Sequence, residues 1–239
     1  MVDVLQIGPI LIRFTWLYFM ISAIFGFYIM RYVLQRKSPH NLHIIDVLST
    51  SGVLALLIWK IGPAVANPLL LTSPMSLIIY PGTPFSTRLA LVIVLMYLIY
   101  TIWRRQMKLM IVLDTIVIGW IASSLVFQIT HWQYGLLTTV PWGISISNPD
   151  LRYHPTNVYK LFLLIPLVWK MNKPIFGQGE IGYTGLLGYG LICLLVSFFE
   201  PKLTVWLGLS KEQIMAGTIF LVGFIAMFVI QYPKSLSRT

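Results

Sequence analysis

Residues 141–160 read PWGISISNPDLRYHPTNVYK, a proline-marked stretch of polar and aromatic residues that lies between two apolar runs. Only 10% of the chain is charged, so the polar side chains of Arg152, His154 and Tyr159 at the edge of a membrane span call for an explanation. Polar groups at membrane depth are costly unless they line a cavity or meet a partner. This loop is therefore the first place to look for part of a functional site.

The composition indicates an integral membrane protein. The 239 residues are 57% hydrophobic and only 10% charged, whereas a soluble domain carries about 25% charged residues. The 17 Lys plus Arg outnumber the 7 Asp plus Glu, which gives a net charge of +10. In a soluble chain this excess would suggest nucleic-acid binding, but in a membrane protein basic loops on the cytoplasmic side explain it. We therefore expect no nucleic-acid partner.

Seven apolar segments predict an all-α bundle that crosses the membrane seven times and forms one transmembrane domain over residues 1–239. A crossing helix needs about 20 mostly apolar residues; the fifth segment is short, and Pro166 interrupts it. The first segment is too long for a cleaved signal peptide and follows Asp3 instead of a basic region, so we expect it to be the first span. The predicted spans are about 11–34, 45–65, 87–103, 109–130, 157–171, 181–199 and 213–231.

The basic residues predict the orientation of these spans. The connections after the odd-numbered spans hold ten of the 17 basic residues, which puts the N-terminus outside and the C-terminus in the cytoplasm. Two larger outer loops are then expected at about 66–86 and 131–156, and the prolines of the first predict an irregular or re-entrant segment. The ten basic residues are Arg31, Arg36, Lys37, Arg104, Arg105, Lys108, Lys170, Lys173, Lys234 and Arg238.

Two arginines lie near the outer ends of predicted spans. Arg13 is at the start of the first span, and Arg88 opens the third. In a structural role, the aliphatic stem of each arginine lies along apolar surface while the guanidinium reaches the membrane interface. Alternatively, both bind phosphate, because a guanidinium is always charged and offers a planar fork of donors that matches phosphate oxygens. Lipid head groups present such phosphates at this depth, and the sequence leaves both roles open.

Two histidines are candidates for a general base. His131 ends the fourth predicted span beside Trp132 and Tyr134, and His154 precedes Pro155 in the loop at 141–160. Neutral imidazole is suited to taking a proton near pH 7. The aromatic residues beside His131 equally indicate an ordinary belt that anchors the chain at the interface, so a structural role stays open.

The remaining polar groups of the spans favour structural roles. Cys193 lies in the middle of an apolar run, where a thiol is usually an inert small hydrophobe. Asp46, Asp114 and Glu180 lie near the starts of spans, where acidic residues suit the first turn of a helix. Histidine, cysteine and acidic residues are too sparse to indicate a metal site, and the nucleophile and nucleotide-binding motifs of soluble enzymes are absent.

Four segments, in order, resemble motifs of the bacterial prolipoprotein diacylglyceryl transferases. IGPILIRF at 7–14 resembles the family's IGP-x-x-IRW, and residues 141–159 resemble its PWG followed by RHP-S/T-Q-L-Y-E. GLLGYGLICLLVSFFEPK at 185–202 is similar to YG-x-x-RF-x-x-EFFR-x-P. LGLSKEQIMAGTIFLVG at 207–223 is similar to the closing L-S-x-G-Q-x-x-S-x-x-x-x-x-x-G. The resemblance covers most of the chain and implies the same seven-span bundle.

The resemblance implies an enzyme that works on the outer leaflet of the bacterial cytoplasmic membrane. Such an enzyme transfers a diacylglyceryl group from phosphatidylglycerol to the lipobox cysteine of a preprolipoprotein, forming a thioether and releasing glycerol phosphate. The implied partners are a phospholipid, phosphatidylglycerol first, and a lipoprotein precursor or another membrane protein. No metal or organic cofactor is implied. The phospholipid-binding candidates are Arg13, Arg88, Arg152, Tyr159 and Tyr189.

Where the chain departs from the family's motifs, it mostly loses charge. Gln128 falls near the arginine that ends the fourth span, and Cys193 stands at the arginine of YG-x-x-R. Losing one electrostatic contact to a transition state reduces a rate by on the order of 100- to 1000-fold, unless Arg88 and His131 compensate from new positions. Two functions therefore stay open, a transferase and a catalytically inactive relative that serves as a lipid-binding or assembly subunit. Further departures are Thr15, Arg88, His131 and Ser197, near the family's tyrosine, histidine, asparagine and glutamate.

Overall fold

The computed structural model describes residues 4–7, 10–72, 82–146, 148–202, 205–206 and 208–236, and these are mainly helical. Each helix is a run of apolar residues whose backbone groups bond within the helix, as a lipid environment requires. Short 3-10 turns lie at Pro39–Asn41, Pro68–Thr72 and Ser197–Phe199. The α-helices are α1 Phe14–Lys37, α2 His43–Ala66, α3 Pro84–Arg104, α4 Leu109–Thr130, α5 Thr156–Met171, α6 Glu180–Val196 and α7 Lys211–Leu236.

Six helical segments in the described part of the chain are long and apolar enough to cross a membrane, which confirms a helical multi-span protein. They correspond to all of the helices except α5. Helix α5 coincides with the short fifth predicted span, contains Pro166 and has only 16 residues. It is therefore shorter than the roughly 20 residues that a straight crossing needs.

The surfaces of these helices are apolar. Large side chains such as Ile24, Ile99 and Phe162 are largely exposed, which is the arrangement expected of residues that face lipid. Hydroxyl groups inside the helices bond to their own backbone, as when the Ser51 hydroxyl donates to the Val47 carbonyl at 2.7 Å. Such hydroxyl groups are thus satisfied without reaching the surface.

The connections contain short antiparallel strands that the all-α prediction did not include. The outer loop predicted at 131–156 is a small three-stranded sheet in the order β3-β5-β4, with an irregular register between Tyr134 and Leu137. Two hairpins pair β1 with β2 and β6 with β7. The strands are β1 Val4–Ile7, β2 Ile10–Arg13, β3 Tyr134–Thr138, β4 Ile144–Ser145, β5 Arg152–Pro155, β6 Val205–Trp206 and β7 Leu209–Ser210.

The other predicted outer loop, about 66–86, is described only in part. It begins with the 3-10 turn Pro68–Thr72 and ends in the first turn of α3. There the Thr83 hydroxyl accepts the backbone N–H of Ser86, and the Ser86 hydroxyl accepts that of Thr83, which caps the helix. The prediction of a re-entrant segment falls on residues 73–81, which lie outside the described residues.

Contacts divide the chain into two compact units. The first is built from the described residues up to Leu17 and from Leu34–Leu109, and the second from Tyr18–Val33 and from Met110 onward. In the first unit, α2 and α3 pack closely at Gly62, because a Cβ there would collide with Ser86. The indoles of Trp16 and Trp59, with ring centres 4.8 Å apart, pack within the same unit.

The second unit has its core between α4, α5 and α6. Helix α7 packs against α6 at Gly190, where an added Cβ would meet the backbone of Phe220 and Ala216. Small residues let two membrane helices approach this closely. The buried core residues are Val117, Ile121, Leu164, Leu167, Met171, Ile181, Ile192 and Val196.

Asp114 has a different role from the one that its position in the sequence predicted. Helix α4 has no acidic residue in its first turn, and the fully buried Asp114 carboxylate accepts N–H groups from Gly177, Gly179 and Gly182 at 2.8, 3.1 and 2.7 Å. The prediction was wrong for α4, because the carboxylate holds the start of α6. Gly177 and Gly179 have φ angles of +89° and +79°, which favour glycine.

Asp46 and Glu180 lie in the first turns of α2 and α6. The prediction that acidic residues occupy the first turns of these two helices is therefore confirmed. A carboxylate in this position interacts favourably with the partial positive charge of a helix N-terminus.

Candidate functional site

The candidate site lies in the second unit, where β5 leads directly into α5. His154 is in the strand, and Tyr159 is in the first turn and a half of the helix. The short segment after α6 supplies Phe199 and Glu200. Two hydrogen-bonded groups of side chains meet there. Tyr159 belongs to the first group, and the next residue, Lys160, belongs to the second.

The first group, which we call the His154 cluster, consists of Trp142, His154, Tyr159 and Phe199. The Trp142 indole N–H donates to the Tyr159 hydroxyl oxygen at 3.0 Å, and that oxygen lies 3.0 Å from His154 Nδ1. The Phe199 ring centre is 4.9 Å from that of His154 and 5.6 Å from that of Tyr159. The loop at 141–160 therefore does bring its imidazole and its phenol together.

Hydrogen-bond chemistry limits what the Tyr159 hydroxyl does in this cluster. An indole N–H is only a donor, so the Tyr159 oxygen must accept from Trp142. Its own proton is then available for His154 Nδ1, or the ring donates a proton to it instead; both patterns fit the 3.0 Å separation. In either pattern Tyr159 fixes the orientation of the imidazole.

The second group, which we call the Lys160 chain, runs from Glu200 through Lys160 and Gln133 to His131. Lys160 Nζ lies 2.6 Å from Glu200 Oε1 and donates to Gln133 Oε1 at 3.3 Å. Gln133 Nε2 lies 3.3 Å from His131 Nδ1. The side chains of Lys160 and Glu200 are each only 15% exposed, so water screens this ion pair poorly.

His131 lies at the end of this chain and against aromatic rings. Its ring stacks on Phe127 with centres 4.9 Å apart, and the Tyr18 ring centre is 6.0 Å away. The imidazole is half-buried, whereas the neighbouring Trp132 is exposed. His131 and His154 thus belong to different groups of side chains, and each is oriented by different partners.

Helices α4 and α5 are joined by a hydrogen bond between two buried residues. Gln128 and Asn157 are 5% and 2% exposed, and the Asn157 side-chain amide donates to the Gln128 backbone carbonyl at 3.1 Å. The side-chain oxygens of both residues are buried without a hydrogen-bond partner. Such oxygens accept hydrogen bonds and carry no positive charge, so neither side chain replaces the charge of an arginine here.

Tyr189 and Cys193 lie one turn apart on α6. The Tyr189 hydroxyl faces the Cys193 thiol and the Ser124 hydroxyl, and the ring meets Trp120 edge-on with centres 5.9 Å apart. Lys160 and Glu200 are close enough for their charges to act on the thiol. Tyr189 itself is partly buried, whereas the neighbouring Trp120 is exposed.

The predicted arginines have simpler surroundings. Arg152 is exposed, and its guanidinium donates to the Pro141 carbonyl at 3.2 Å, which holds the loop against β5. Arg13 and Arg88 are exposed in the first unit, at the N-cap of α1 and in α3. The suggested joint action of Arg88 and His131 involves residues of two different units and stays a prediction. Among the described residues, no three histidine, cysteine or acidic side chains come together to hold a metal ion.

Comparison with known proteins shows which enzymes this chain is similar to. No family model matches it. A phosphatidylglycerol–prolipoprotein diacylglyceryl transferase of Wolbachia pipientis (strain wPip) is 22% identical over 93% of this chain and 92% of its own length. The enzyme of that name from Rhodospirillum rubrum is 25% identical over 97% and 93% of the two chains, and that of Pasteurella multocida is 32% identical over 44% and 43%. The chain is thus similar, as a divergent relative, to prolipoprotein diacylglyceryl transferases over nearly its whole length.

The similarity to these transferases agrees with the apolar helices. Six segments of the described chain are long and apolar enough to cross a membrane, and relatives from bacteria match almost its whole length. The protein is therefore a multi-pass protein of the bacterial cytoplasmic membrane.

The ion pair between Lys160 and Glu200 is a site feature that the sequence argument missed. The family's motifs place a glutamate after the tyrosine of RHP…YE and an arginine after the two phenylalanines of EFFR. This chain has Lys160 and Glu200 at those places, so both charges are reversed together. Two departures of opposite sign are the signal that would have indicated the pair, because opposite charges attract.

Proposed function

We propose that this protein transfers a diacylglyceryl group from phosphatidylglycerol to the cysteine thiol of a lipoprotein precursor, or of a related acceptor, at the outer leaflet. The observation that carries the proposal is the His154 cluster, in which Trp142 and Tyr159 orient an imidazole. The cluster lies in the segment that resembles the family's PWG…RHP motif. Relatives named for this transfer match the chain over nearly their whole length, which further supports the proposal.

The proposed reaction has two requirements that the site residues can meet. The acceptor thiol attacks a glycerol carbon and forms a thioether, while the bond from that carbon to the phosphate oxygen breaks and glycerol phosphate leaves. A base must take the thiol proton, and His154 is the proposed base: in the pattern where its Nδ1–H donates to the Tyr159 oxygen, the lone pair on Nε2 can take that proton. The leaving phosphate needs donors and positive charge, for which Arg152 and the hydroxyls of Tyr159 and Tyr189 are the proposed sources in the second unit. Phosphate binding by Arg13 and Arg88 of the first unit stays a separate prediction.

We also propose that α5 is the seventh crossing, with the sheet of β3, β4 and β5 outside the membrane and the C-terminus in the cytoplasm. A helix of 16 residues spans roughly 24 Å, a few ångströms less than the hydrocarbon core. Single cysteines introduced in a Cys193→Ala background test the orientation. A membrane-impermeant maleimide added to intact cells should label position 148 and leave positions 37 and 170 unlabelled, and the opposite pattern would overturn it.

A catalytically inactive, lipid-binding relative is the second candidate. The buried oxygens of Gln128 and Asn157 favour it, since they accept hydrogen bonds at a place where the family's motif has an arginine nearby. Such a site cannot neutralise a phosphate but suits the hydroxyl or ammonium groups of a head group. A protein of this kind would bind phospholipid and act as a subunit of a membrane assembly.

One experiment separates the two candidates. The purified chain is placed in phosphatidylglycerol vesicles with a lipobox peptide, and glycerol phosphate release and thioether formation on the peptide are followed. A transferase gives both products, loses most of the rate in His154→Gln and keeps it in His40→Gln, a control in the first unit. No product, while a known transferase is active in parallel, leaves the lipid-binding candidate.

A further inference from the structure

Lys160 determines the direction in which the Gln133 side-chain amide points. A lysine ammonium has three donors and no acceptor, so the group that meets it must be the amide oxygen. Lys160 Nζ lies 3.3 Å from Gln133 Oε1 and is held in place by Glu200 at 2.6 Å. The amide nitrogen of Gln133 must therefore point away from the lysine.

The direction of that amide in turn decides where the proton of His131 lies. Gln133 Nε2 points to His131 Nδ1 at 3.3 Å, and an amide NH2 group is only a donor. A proton on Nδ1 would set two donors against each other. We infer that Glu200, Lys160 and Gln133 hold His131 in the tautomer with its lone pair on Nδ1 and its proton on Nε2, which makes Gln133 and Lys160 positioning residues for this histidine.

This tautomer limits the chemistry of His131. The lone pair on Nδ1 is engaged by Gln133, so His131 does not act as a base through that nitrogen. Proton removal is then left to His154. That division of roles rests on the proposed function, whereas the tautomer does not depend on it.

The tautomer is measurable without any substrate. The full-length protein is produced with 15N-labelled histidine in detergent, and the ring nitrogens are assigned by their loss in His131→Gln. Nitrogen shifts and two-bond couplings to the ring protons should show a protonated Nε2 and an unprotonated Nδ1. A protonated Nδ1 in the unaltered protein at neutral pH would overturn the inference.

Substitution of Gln133 gives the sharpest test. In Gln133→Glu the side chain becomes an acceptor only, so His131 should now carry a proton on Nδ1. Asn148→Asp, an exposed change of the same charge elsewhere in the unit, should leave the Nε2–H tautomer unchanged. An unchanged tautomer in Gln133→Glu would contradict the inference.

Lysine substitutions test the first link of the chain. Lys160→Arg keeps a donor-only cation and should keep the Nε2–H tautomer, while Lys160→Met removes the constraint on the amide and should give a mixture of the two tautomers. A single Nε2–H tautomer in Lys160→Met would show that Lys160 does not select it. Should Lys160→Met fail to fold, as judged by gel filtration, Lys160→Arg and Gln133→Glu still decide the question. Phosphatidylglycerol binding and turnover are measured separately, so a failed transferase assay does not affect this result.

Discussion

Lys160 Nζ and Glu200 Oε1 are 2.6 Å apart, and this ion pair joins the start of α5 to the segment that follows α6. Since both side chains are mostly shielded from water, removing one partner leaves a charge that is poorly solvated. Charge reversal at either position should therefore be more harmful than reversal at both.

The first prediction is a charge-reversal cycle at this pair. Lys160→Glu and Glu200→Lys should each lower the free energy of unfolding by about 1–3 kcal/mol, because each places two like charges together. The double variant should recover most of that loss. Thermal unfolding in detergent measures all four proteins, and a double variant as unstable as the sum of the two single ones would contradict the pairing.

The second prediction concerns the buried Asp114 carboxylate. In Asp114→Asn one oxygen becomes an NH2 group that faces the N–H groups of the glycine segment, which should lower stability by about 1–3 kcal/mol. Amide hydrogen exchange should accelerate at residues 177–182. Asp46→Asn is the matched control, since Asp46 is exposed; it should lower stability by less than about 1 kcal/mol and leave the exchange at residues 177–182 unchanged. Equal effects of the two substitutions would refute a special role for Asp114.

The third prediction tests the close approach of α6 and α7. A Cβ at Gly190 would meet backbone atoms of Phe220 and Ala216, so Gly190→Ala should push the two helices apart and lower the melting temperature. Gly217→Ala, in α7, meets nothing within 4 Å and should be neutral or slightly stabilising. Melting curves of the two alanine variants check this, and a more stable Gly190→Ala would show that the helices are not in contact there.

The fourth prediction concerns Tyr159 as the support of His154. Tyr159→Phe keeps the ring against Phe199 but removes the oxygen shared by Trp142 and His154. If the proposed transfer occurs, its kcat should fall by up to about 100-fold, because the imidazole is no longer held in one orientation. Tyr153→Phe, in the strand that holds His154, is the control and should retain activity. The 15N signals of His154 should change only in Tyr159→Phe, and unchanged signals there would refute the hydrogen bond.

The sequence predicts the helices well because each is a continuous apolar run, and a run of about 20 such residues has few alternatives to a helix in lipid. It predicts less about the strands, which are two to five residues long and are defined by pairing with distant partners. Tyr134 pairs with Pro155, for example, and no local pattern indicates this.

The same distinction holds for the site. The loop at 141–160 is correctly singled out, because Trp142, His154 and Tyr159 are close in sequence. Lys160 and Glu200 are 40 residues apart, and Asp114 is 63 to 68 residues from the glycines that it binds. Contacts of this range depend on how helices pack, which composition and local spacing do not encode.

The ion pair of Lys160 and Glu200 limits which chimeras of this chain should be stable. A chimera that takes only the α5 segment from a relative with glutamate after the tyrosine would set that glutamate against Glu200. One that takes only the segment after α6 from a relative with arginine there would set the arginine against Lys160. The two segments should therefore be exchanged together, although 40 residues separate them in the chain.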